Sequence, residues 1–583
     1  MNQLLMASWT LLMCASIGLA DDGPSPDADE TPSVVAGDRG REMDELLTGC
    51  AEWDFSGSVL VVRDDEVILR NGYGLANRED RTPNTPDTLF EIASVTKHFT
   101  AAAVLHLEEA GRLSTDDQIA KWLPGVPDEH AGVTIHHLLA HTSGFPRMGP
   151  TGRGHDASAA LRDYLSGGRV NEPGAAFHYW NGGYALLAMI IERASGQSYQ
   201  AYCHNHLFEP AGMRNTGFCQ DSTFPERRLA HGYNEGRDVG VASAHSYGWE
   251  YRGMGGIVTS VADFERWDRA LRAGRVLQLT EKLQTPGASG YAGGGWVERT
   301  SRDTAEIMLG GNVTGFNSAV WRLPDDRALV VVLCNTPSNA FIVGMHLSRR
   351  LFDQPGMLAM PPKQMVPDEP ALAALRGSYR SADGSILELR PDAGAVRVAV
   401  EGQPAVQMLL YGDPTIPDGV QQTIDAAEAL LRGVIDGDYA RLRAAMADHI
   451  PDDWPDRFRG YWQSHVKNRG AIESVELIGA LPTSRSPSSL KTMFRLRQAQ
   501  GDTVVELLFD AGRLHVFELE AHGPACEFRY VPTSRSTLET YRLVPRSPPV
   551  VELDQATGDL VVRGSRGAAL AFTRRRDGSS PRR

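Results

Sequence analysis

The fold of this chain can be approached from one segment, Phe90 to Thr100 (FEIASVTKHFT), in which a serine and a lysine stand three residues apart. The residues after it, 100–111, are rich in alanine and leucine at helical spacing and end at a glycine suited to a left-handed stop. We predict a helix whose first turn carries Ser94, with Lys97 on the same face. The hydroxyl and the amine then lie within hydrogen-bond reach at the positive end of the helix dipole.

This serine and lysine form a possible nucleophile and base. A serine needs a base to become a nucleophile, and a neutral lysine can serve as one. At an ordinary pKa of about 10.4, only about one lysine in a thousand is neutral near neutral pH. The site would have to supply about 4 kcal/mol through burial or neighbouring cations, and the apolar neighbours Ile92, Val95 and Phe99 are compatible with burial. A plain surface helix start is the alternative for the S-x-x-K motif taken alone.

Composition excludes several classes of function. At 583 residues the chain is too long for one core, so two to four domains are expected. Hydrophobic residues at 42% and charged residues at 22% are ordinary for a soluble globular protein. A formal charge of -15 without a basic stripe argues against a nucleic-acid partner.

The N-terminus resembles an export signal. Leu4 to Ala20 is an apolar run with small residues before a cleavage position after Ala20, which predicts a signal peptide over residues 1–20. The region before the run lacks lysine and arginine, so an uncleaved anchor is the alternative. We expect an exported protein, periplasmic or secreted, with no stable membrane insertion after cleavage. Residues 21–39 are rich in Asp, Pro and Gly and predict a disordered leader.

The cysteines are sparse and include no C-x-x-C pair, so neither a disulfide scaffold nor a cysteine metal site is predicted. Cys203 and Cys219 are close enough in sequence to form a disulfide in an oxidising compartment. Independent buried thiols are the alternative. No metal and no cofactor are expected.

Strand patterns at both ends of a helical region predict one large domain. Two β-rich runs, 58–63 and 66–70, flank an acidic turn, and strands return at 304–309, 316–323 and 328–334. Helices are predicted between them, including 157–165 and 182–196. The two ends would form one sheet with helices packed on it, giving a mixed α/β domain over residues 40–352. A Pro-rich linker, 353–370, follows.

The C-terminal part predicts a nested arrangement. Residues 377–410 alternate at strand spacing, and short β segments return between 528 and 573. Between them lie three helical segments, at 425–435, 438–446 and 455–466, and four strand candidates within 473–519. We predict a small β domain in two parts, 371–417 and 522–575, with an α+β domain over residues 418–521 inserted between them.

Three further motifs accompany the Ser94 segment: Leu138 to Gly144 (LLAHTSG), Phe177 to Leu187 (FHYWNGGYALL) and Leu309 to Phe316 (LGGNVTGF). In this order they resemble the serine β-lactamase and penicillin-binding-protein superfamily, specifically its class C-like branch of esterases and D-aminopeptidases. The resemblance covers about residues 40–350 and implies an antiparallel sheet flanked by helices, with an all-helical subdomain. The small β domain resembles the β-barrel appended to such hydrolases, and residues 418–521 resemble the nuclear-transport-factor-2-like fold.

The resemblance also implies roles for single residues. Ser94 would be acylated, with Lys97 and Tyr179 as its proton relay. Asn181 would hold Lys97 and the substrate amide by hydrogen bonds. The backbone amides of Ser94 and Asn312, beside Gly311, would form the oxyanion hole, which is typically worth ~10²–10³ in rate per donor.

Three positions are ambiguous or depart from the family pattern. His141 could be a catalytic base, but the resemblance implies a structural turn, and a buried hydrogen-bonded histidine is the preferred interpretation. Trp180 is either a wall of the substrate pocket or part of the core. The last motif of the family usually begins with Lys or His, whereas this chain has Leu309. The resemblance places position 309 in the substrate pocket, so a donor that would bind a substrate carboxylate is missing there.

These observations predict an exported serine hydrolase that forms an acyl-enzyme on a neutral ester or amide of a small-molecule or peptide-like substrate. A peptidase or β-lactamase acting on D-amino-acid or peptidoglycan-type substrates is the alternative within the class. The alternative of another class is a pseudoenzyme that binds a ligand without turnover. The intact set of Ser94, Lys97, Tyr179 and Asn181 argues against the pseudoenzyme. The sequence does not determine the oligomeric state.

Overall fold

The structure is a computed structural model. It describes residues 30–574 except 54, 146–155, 167, 235–236, 288–289, 301, 364, 366–367, 393, 447–453, 483–487, 520–526, 535, 541–548 and 565–566. The predicted signal peptide lies outside the described residues. No helix in the described part of the chain is long and apolar enough to cross a membrane.

The N-terminal part, up to residue 351, alternates short strands and helices. Its helices are α1 Gly37–Ala51, α2 Thr96–Glu109, α3 Ile135–Leu139, α4 Ala157–Leu165, α5 Asn181–Ser195, α6 Tyr199–Cys203, α7 Glu209–Ala211, α8 Val261–Arg272 and α9 Ala340–Leu351. Its strands are β1 Val34–Val35, β2 Gly57–Arg63, β3 Glu66–Tyr73, β4 Leu75–Asn77, β5 Thr82–Pro83, β6 Phe90–Glu91, β7 Gly217–Phe218, β8 His231–Asn234, β9 Arg237–Val241, β10 Ile257–Thr259, β11 Tyr291–Ala292, β12 Gly295–Arg299, β13 Ala305–Val313, β14 Phe316–Leu323 and β15 Ala328–Cys334.

An eight-stranded antiparallel sheet forms the centre of this part, in the order β1-β3-β2-β15-β14-β13-β12-β11. β2 from the start of the domain pairs with β15 from its end, with Leu60 opposite Val331. Both strands are almost continuous apolar runs, as expected for strands covered on both faces. The predicted sheet built from both ends of an α/β domain is confirmed.

The two faces of the sheet have separate cores. On one face α1 and α9 cover Val61, Trp321 and Val330. On the other face β2, β13 and β15 contribute to a larger core that includes α2, α5 and α8. Phe99 of α2 packs there against Trp267 of α8, with ring centroids 4.7 Å apart. The larger core is the one that surrounds the segment around Ser94.

The described part of the predicted disordered leader is ordered, so that prediction is wrong for residues 30–39. Val34 and Val35 pair with Arg70 and Leu69 at the edge of the sheet. Thr31 donates to the Asp87 carboxylate through both its backbone N–H, at 2.6 Å, and its hydroxyl, at 2.9 Å. Partners more than 30 residues away, which local composition does not reveal, fix this segment.

The C-terminal part contains α10 Glu369–Ala374, α11 Gln403–Tyr411, α12 Gln421–Ile435, α13 Tyr439–Ala445 and α14 Trp454–Arg469. Its strands are β16 Gly377–Ser381, β17 Ile386–Asp392, β18 Ala395–Glu401, β19 Ile472–Pro482, β20 Leu490–Gln498, β21 Thr503–Asp510, β22 Arg513–Leu519, β23 Glu527–Pro532, β24 Thr537–Glu539, β25 Val550–Leu553, β26 Leu560–Arg563 and β27 Ala569–Arg574. β16–β18 and β23–β27 close into one barrel, and β19–β22 form a separate four-stranded sheet.

The prediction of strand throughout residues 377–410 is wrong at its end, because α11 begins at Gln403. A run such as Ala405 to Leu409 is compatible with either the helical or the strand period, since all of its residues are buried. Gln407 fixes the helix against β19: its side chain donates to the Ala480 carbonyl at 2.7 Å and accepts from the Ala480 N–H at 2.9 Å.

Candidate active site

Ser94 lies on a tight turn between β6 and α2. It belongs to the 3₁₀ turn Ala93–Val95, which precedes α2. Ala93 has a φ of 44°, in the left-handed region that costs a residue with a Cβ about 1–2 kcal/mol. Ile92 holds the turn, since its N–H donates to Ile257 O at 3.0 Å and its carbonyl accepts from Ser318 Oγ at 2.8 Å. The turn presents Ser94 at the start of the helix, as predicted.

Lys97 is buried beneath the serine, with no exposed surface. Its Nζ donates to Ser94 Oγ at 3.0 Å and to the carbonyl of Met254 at 2.9 Å. Burial lowers the pKa of Lys97 to about 7, because the charged form loses its hydration. A large fraction of the amine is therefore neutral near pH 7 and can accept a proton.

Tyr179 completes the immediate surroundings of the nucleophile. Its hydroxyl lies 3.2 Å from Ser94 Oγ, and its ring lies 5.1 Å from Lys97 Nζ. Tyr184, on α5, offers a second ring at 5.7 Å from the same ammonium. Two aromatic faces near a buried amine partly stabilise its charged form. Ser94 Oγ thus lies between an amine and a phenol.

The structure corrects one prediction from the third motif and decides between the two alternatives for Trp180. Asn181 is exposed at the start of α5, and within the described residues Lys97 hydrogen-bonds to Ser94 and Met254 rather than to Asn181. Trp180 is 3% exposed and stacks on Phe145 with ring centroids 4.4 Å apart, so its side chain lies in the core and does not form a pocket wall. These two neighbouring residues thus differ in burial: Asn181 is exposed and Trp180 is buried.

His141 is a buried turn residue, in agreement with the preferred interpretation. It has a φ of 55°, and its Nδ1 accepts from the Trp180 N–H at 3.2 Å. Burial, together with the nearby Lys97, holds the pKa of His141 well below its usual range, so the ring is neutral. Its ring lies 4.3 Å from that of Tyr179, which it supports from behind.

Gly311 brings β13 against the nucleophile. A Cβ at this position would lie 2.2 Å from Ile92 O and 3.1 Å from Ser94 N, so only glycine allows this approach. Asn312, the next residue, is exposed at the same end of β13. The strand backbone therefore runs beside the Ser94 amide, where the predicted oxyanion hole requires it.

Leu309 does not line an open pocket, contrary to prediction. Its side chain is completely buried in the core on the α2 face of the sheet. Leu309 Cδ2 is so close to Gly295 of β12 that a Cβ there would lie 2.4 Å away. An apolar side chain fits this position because the position is shielded from solvent.

Sequence reasoning missed two features of the site. The first is the Met254 carbonyl, which the glycine-rich residues around it bring against Lys97. The second is a group of rings next to Tyr179, formed by Phe177, Tyr291 and Trp296. Trp296 is 45% exposed and lies 4.9 Å from Phe177 between ring centroids. The stretch from Tyr291 to Trp296, YAGGGW, is the signal that could have indicated it.

A cavity of about 580 Å³ adjoins these rings through Tyr291. Its wall includes Ala101 and Leu105 of α2 and Leu139 of α3. Lys282 also lines it and is paired with Glu108 at 2.7 Å. The wall also contains polar side chains, among them Asp116, His136 and Glu281, and its lysine is paired with a carboxylate.

The described residues contain no group of three potential metal ligands. Cys203 and Cys219 are free and buried, so the alternative of independent thiols holds. Burial raises the pKa of Cys203 to about 12, which keeps it protonated and unreactive.

Comparison with known proteins is consistent with this geometry. The sequence matches the Beta-lactamase family over residues 48–351, just over half of the chain. It is 29% identical over 397 residues to Penicillin-binding protein 4* of Bacillus subtilis (strain 168), covering 61% of this chain and 86% of the relative. It is 32% identical over 307 residues to Putative penicillin-binding protein PbpX of the same strain, covering 52% and 75%.

Among solved structures, the octameric penicillin-binding protein homologue from Pyrococcus abyssi aligns with 92% of this chain and 100% of its own. The TM-score is 0.51 at 20% identity, so this similarity concerns the fold alone. The family match covers Ser94, Lys97, Tyr179 and Gly311. The chain belongs to the Beta-lactamase family and is a serine hydrolase related to the penicillin-binding proteins.

Proposed function

We propose that this protein is an exported hydrolase that cleaves neutral esters or amides through an acyl-enzyme on Ser94. The observation that carries the proposal is the position of Ser94 Oγ, 3.0 Å from the buried Lys97 amine and 3.2 Å from the Tyr179 hydroxyl. A serine hydroxyl held between two groups that can exchange protons is the arrangement that nucleophilic catalysis requires.

The proposed reaction has two steps. Ser94 Oγ attacks the acyl carbonyl and gives its proton to the relay of Lys97 and Tyr179, which passes a proton to the leaving alcohol or amine. The backbone N–H groups of Ser94 and Asn312 stabilise the oxyanion. Water then attacks the ester on Ser94, and the same relay returns the proton to the serine. In this proposal Asn181, which is exposed at the start of α5, contacts the substrate amide.

The preference for a neutral, apolar substrate rests on the surroundings. Leu309 stands where the family usually has a lysine or histidine, and its burial leaves no donor there for a carboxylate. A substrate carboxylate would therefore lose hydration in the site without gaining this partner, which is costly. Trp296 and Phe177 offer an aromatic surface beside Tyr179 for an apolar acyl or leaving group.

Covalent labelling tests the enzyme class. Incubation with a fluorophosphonate, followed by intact-mass and peptide mass spectrometry, should give one adduct per chain, located on Ser94. Absence of an adduct under conditions that label a known serine esterase would favour a ligand-binding pseudoenzyme.

A matched substrate pair tests the charge preference. p-Nitrophenyl valerate and p-nitrophenyl hemiglutarate have acyl chains of the same length, but only the second carries a carboxylate. We expect the neutral ester to react at least about tenfold faster in kcat/KM, the difference expected for one unpaired polar group. Equal rates would contradict the proposal for the substrate.

A second candidate function is hydrolysis of D-amino-acid peptides of the peptidoglycan type. Two of the relatives are penicillin-binding proteins by name. Arg252 favours it: the guanidinium lies 4.9 Å above the Trp249 ring, its Nε is buried without a hydrogen-bond partner, and among the described residues it forms no ion pair. It could bind a substrate carboxylate. Efficient hydrolysis of a cephalosporin or a D-Ala-D-Ala peptide that is lost in Arg252→Ala would establish this function.

A further inference from the structure

Glu91 is a buried carboxylate three residues before the nucleophile. Its side chain has no exposed surface, and it belongs to β6, the strand that leads into the Ser94 turn. A buried carboxylate is costly unless donors surround it. Its presence here therefore requires a set of partners, and these partners connect it to Lys97.

Two side chains donate to Glu91, and a third lies close to it. His245 Nδ1 lies 2.5 Å from Oε2, and the Tyr251 hydroxyl donates to Oε1. The Cys219 thiol faces the same carboxylate, and burial together with that charge raises the pKa of the thiol above its usual range. His245 is partly exposed, and its hydrogen bond to Glu91 raises the pKa of its imidazole. Glu91 thus links β6 to the segment 245–251.

Tyr251 begins the backbone turn that reaches Lys97. Its carbonyl accepts from the N–H groups of Met254, at 3.3 Å, and Gly255, at 3.0 Å. Gly255 packs directly on the Tyr251 ring, where an added Cβ would lie 2.4 Å from Cε2. The turn is therefore folded tightly on the tyrosine whose hydroxyl Glu91 holds.

The same turn ends against α2. Gly253 O accepts from Thr100 Oγ1 at 2.7 Å, and Met254 O accepts from Lys97 Nζ at 2.9 Å. Ile257, just beyond it, donates its N–H to Thr96 Oγ1 at 3.2 Å. The Met254 carbonyl is the second partner of an amine whose first partner is the nucleophile, so a shift of the turn would move the amine relative to Ser94.

We propose that Glu91 is a positioning residue of the active site: by holding the Tyr251 hydroxyl it fixes the turn 248–256, so that the Met254 carbonyl keeps the Lys97 amine directed at Ser94. The inference rests on the proposed serine chemistry and extends it to a residue that touches neither the substrate nor the reacting atoms. Glu91 acts through Tyr251 and Met254.

The test compares Tyr251→Phe, which keeps the ring and removes the donor, with Glu91→Gln and Glu91→Ala. The rate of fluorophosphonate labelling at saturation should fall about tenfold or more in Tyr251→Phe, while the half-saturating probe concentration changes less than twofold, because misplacement of a reacting group acts on the chemical step. Glu91→Gln, whose amide oxygen can still accept, should retain more activity than Glu91→Ala.

Tyr73→Phe is a matched control. The Tyr73 hydroxyl also donates to a carboxylate, Asp44, at 2.8 Å, but it lies in the core on the opposite face of the sheet. The Tyr73→Phe substitution should leave the labelling rate within twofold of the wild-type rate. Equal behaviour of Tyr251→Phe and Tyr73→Phe, both folded, would overturn the proposal. If Tyr251→Phe does not fold, the labelling rate of Glu91→Gln is compared with that of Tyr73→Phe in the same way.

A readout independent of turnover separates this inference from the proposed function. In protein labelled with [¹³C]lysine, the Lys97 signal, assigned with Lys97→Arg, should titrate at a higher pH in Tyr251→Phe and Glu91→Gln, because a looser turn admits water to the amine. Failure of Ser94 to label in the wild-type protein would refute the serine chemistry alone. Unchanged Lys97 titration in both variants would refute the role of Glu91.

Discussion

Both faces of the central sheet have buried apolar cores, but they differ in the charged side chains buried with them. The face with α1 and α9 has a core of apolar side chains around Trp321. The face with α2 buries Lys97, His98 and Glu91 among its apolar residues. Burial lowers the pKa of Lys97 to about 7 and, as the main cause, that of His98 to about 3. Burial stabilises both cores, and on the α2 face it also lowers the pKa of the amine that takes part in the proposed proton transfer.

The largest effect should come from the nucleophile. Ser94→Ala removes the only oxygen placed to carry the acyl group in the proposed mechanism, so both ester turnover and fluorophosphonate labelling should disappear. The fold should persist, as checked by circular dichroism and thermal unfolding. Residual turnover within tenfold of the wild-type rate would show that the chemistry belongs to another residue.

Replacing a large core side chain by alanine should affect the labelling rate differently on the two faces of the sheet. Trp321→Ala and Trp267→Ala each remove a buried indole and should lower the free energy of unfolding by about 3–5 kcal/mol. Only Trp267 contacts the helix of the nucleophile, through His98 and Phe99. We expect Trp267→Ala alone to slow the labelling of the folded protein. Equal slowing by both, measured at a temperature where both are folded, would remove the distinction between the faces.

The proton relay should give the next effect. Lys97→Ala and Tyr179→Phe should each lower kcat by about 10²-fold or more, as the loss of a general acid or base does. The double variant should lose less than the product of the two, because both residues serve one relay. Steady-state kinetics with a p-nitrophenyl ester measure all three, and strictly multiplicative losses would indicate independent roles.

A polar side chain at position 309 should destabilise the protein, as it would in the apolar core beneath α1 and α9. Leu309→His places an imidazole in a dry core without a prepared partner, at a cost of about 1–3 kcal/mol. We expect lower stability in urea and no gain in kcat/KM on p-nitrophenyl hemiglutarate. Increased turnover of that anionic ester would show that position 309 can reach the substrate.

The smallest effect should appear in the pH dependence. The base must be neutral, and burial places the pKa of Lys97 at about 7. The labelling rate should therefore rise with pH through about 7 and level off above it, whereas an unburied lysine would require a pH near 10. Rate measurements from pH 5 to 9 check this, and an acid limb that is absent or lies above pH 9 would contradict the role of Lys97.

The family, the central sheet and the pair of Ser94 and Lys97 could all be predicted from the sequence. The nearly continuous apolar runs of β2 and β15 predicted strands of a central sheet, because strands buried on both faces lack a polar side. The Ser94-x-x-Lys97 spacing placed both groups on one helical face, and the structure has them 3.0 Å apart. These features follow from local geometry, which sequence patterns record.

Contacts between side chains that are far apart in the sequence could be identified only from the tertiary structure. The Met254 carbonyl reaches Lys97 from 157 residues away, and Asn181, expected in that role, is exposed instead. Leu309 was predicted to line the pocket, and Trp180 was left open between pocket and core. Both lie in the core, since the direction of a side chain depends on the neighbouring element that covers it. The low pKa of Lys97 likewise has no local cause, because desolvation is produced by all the segments packed around the amine.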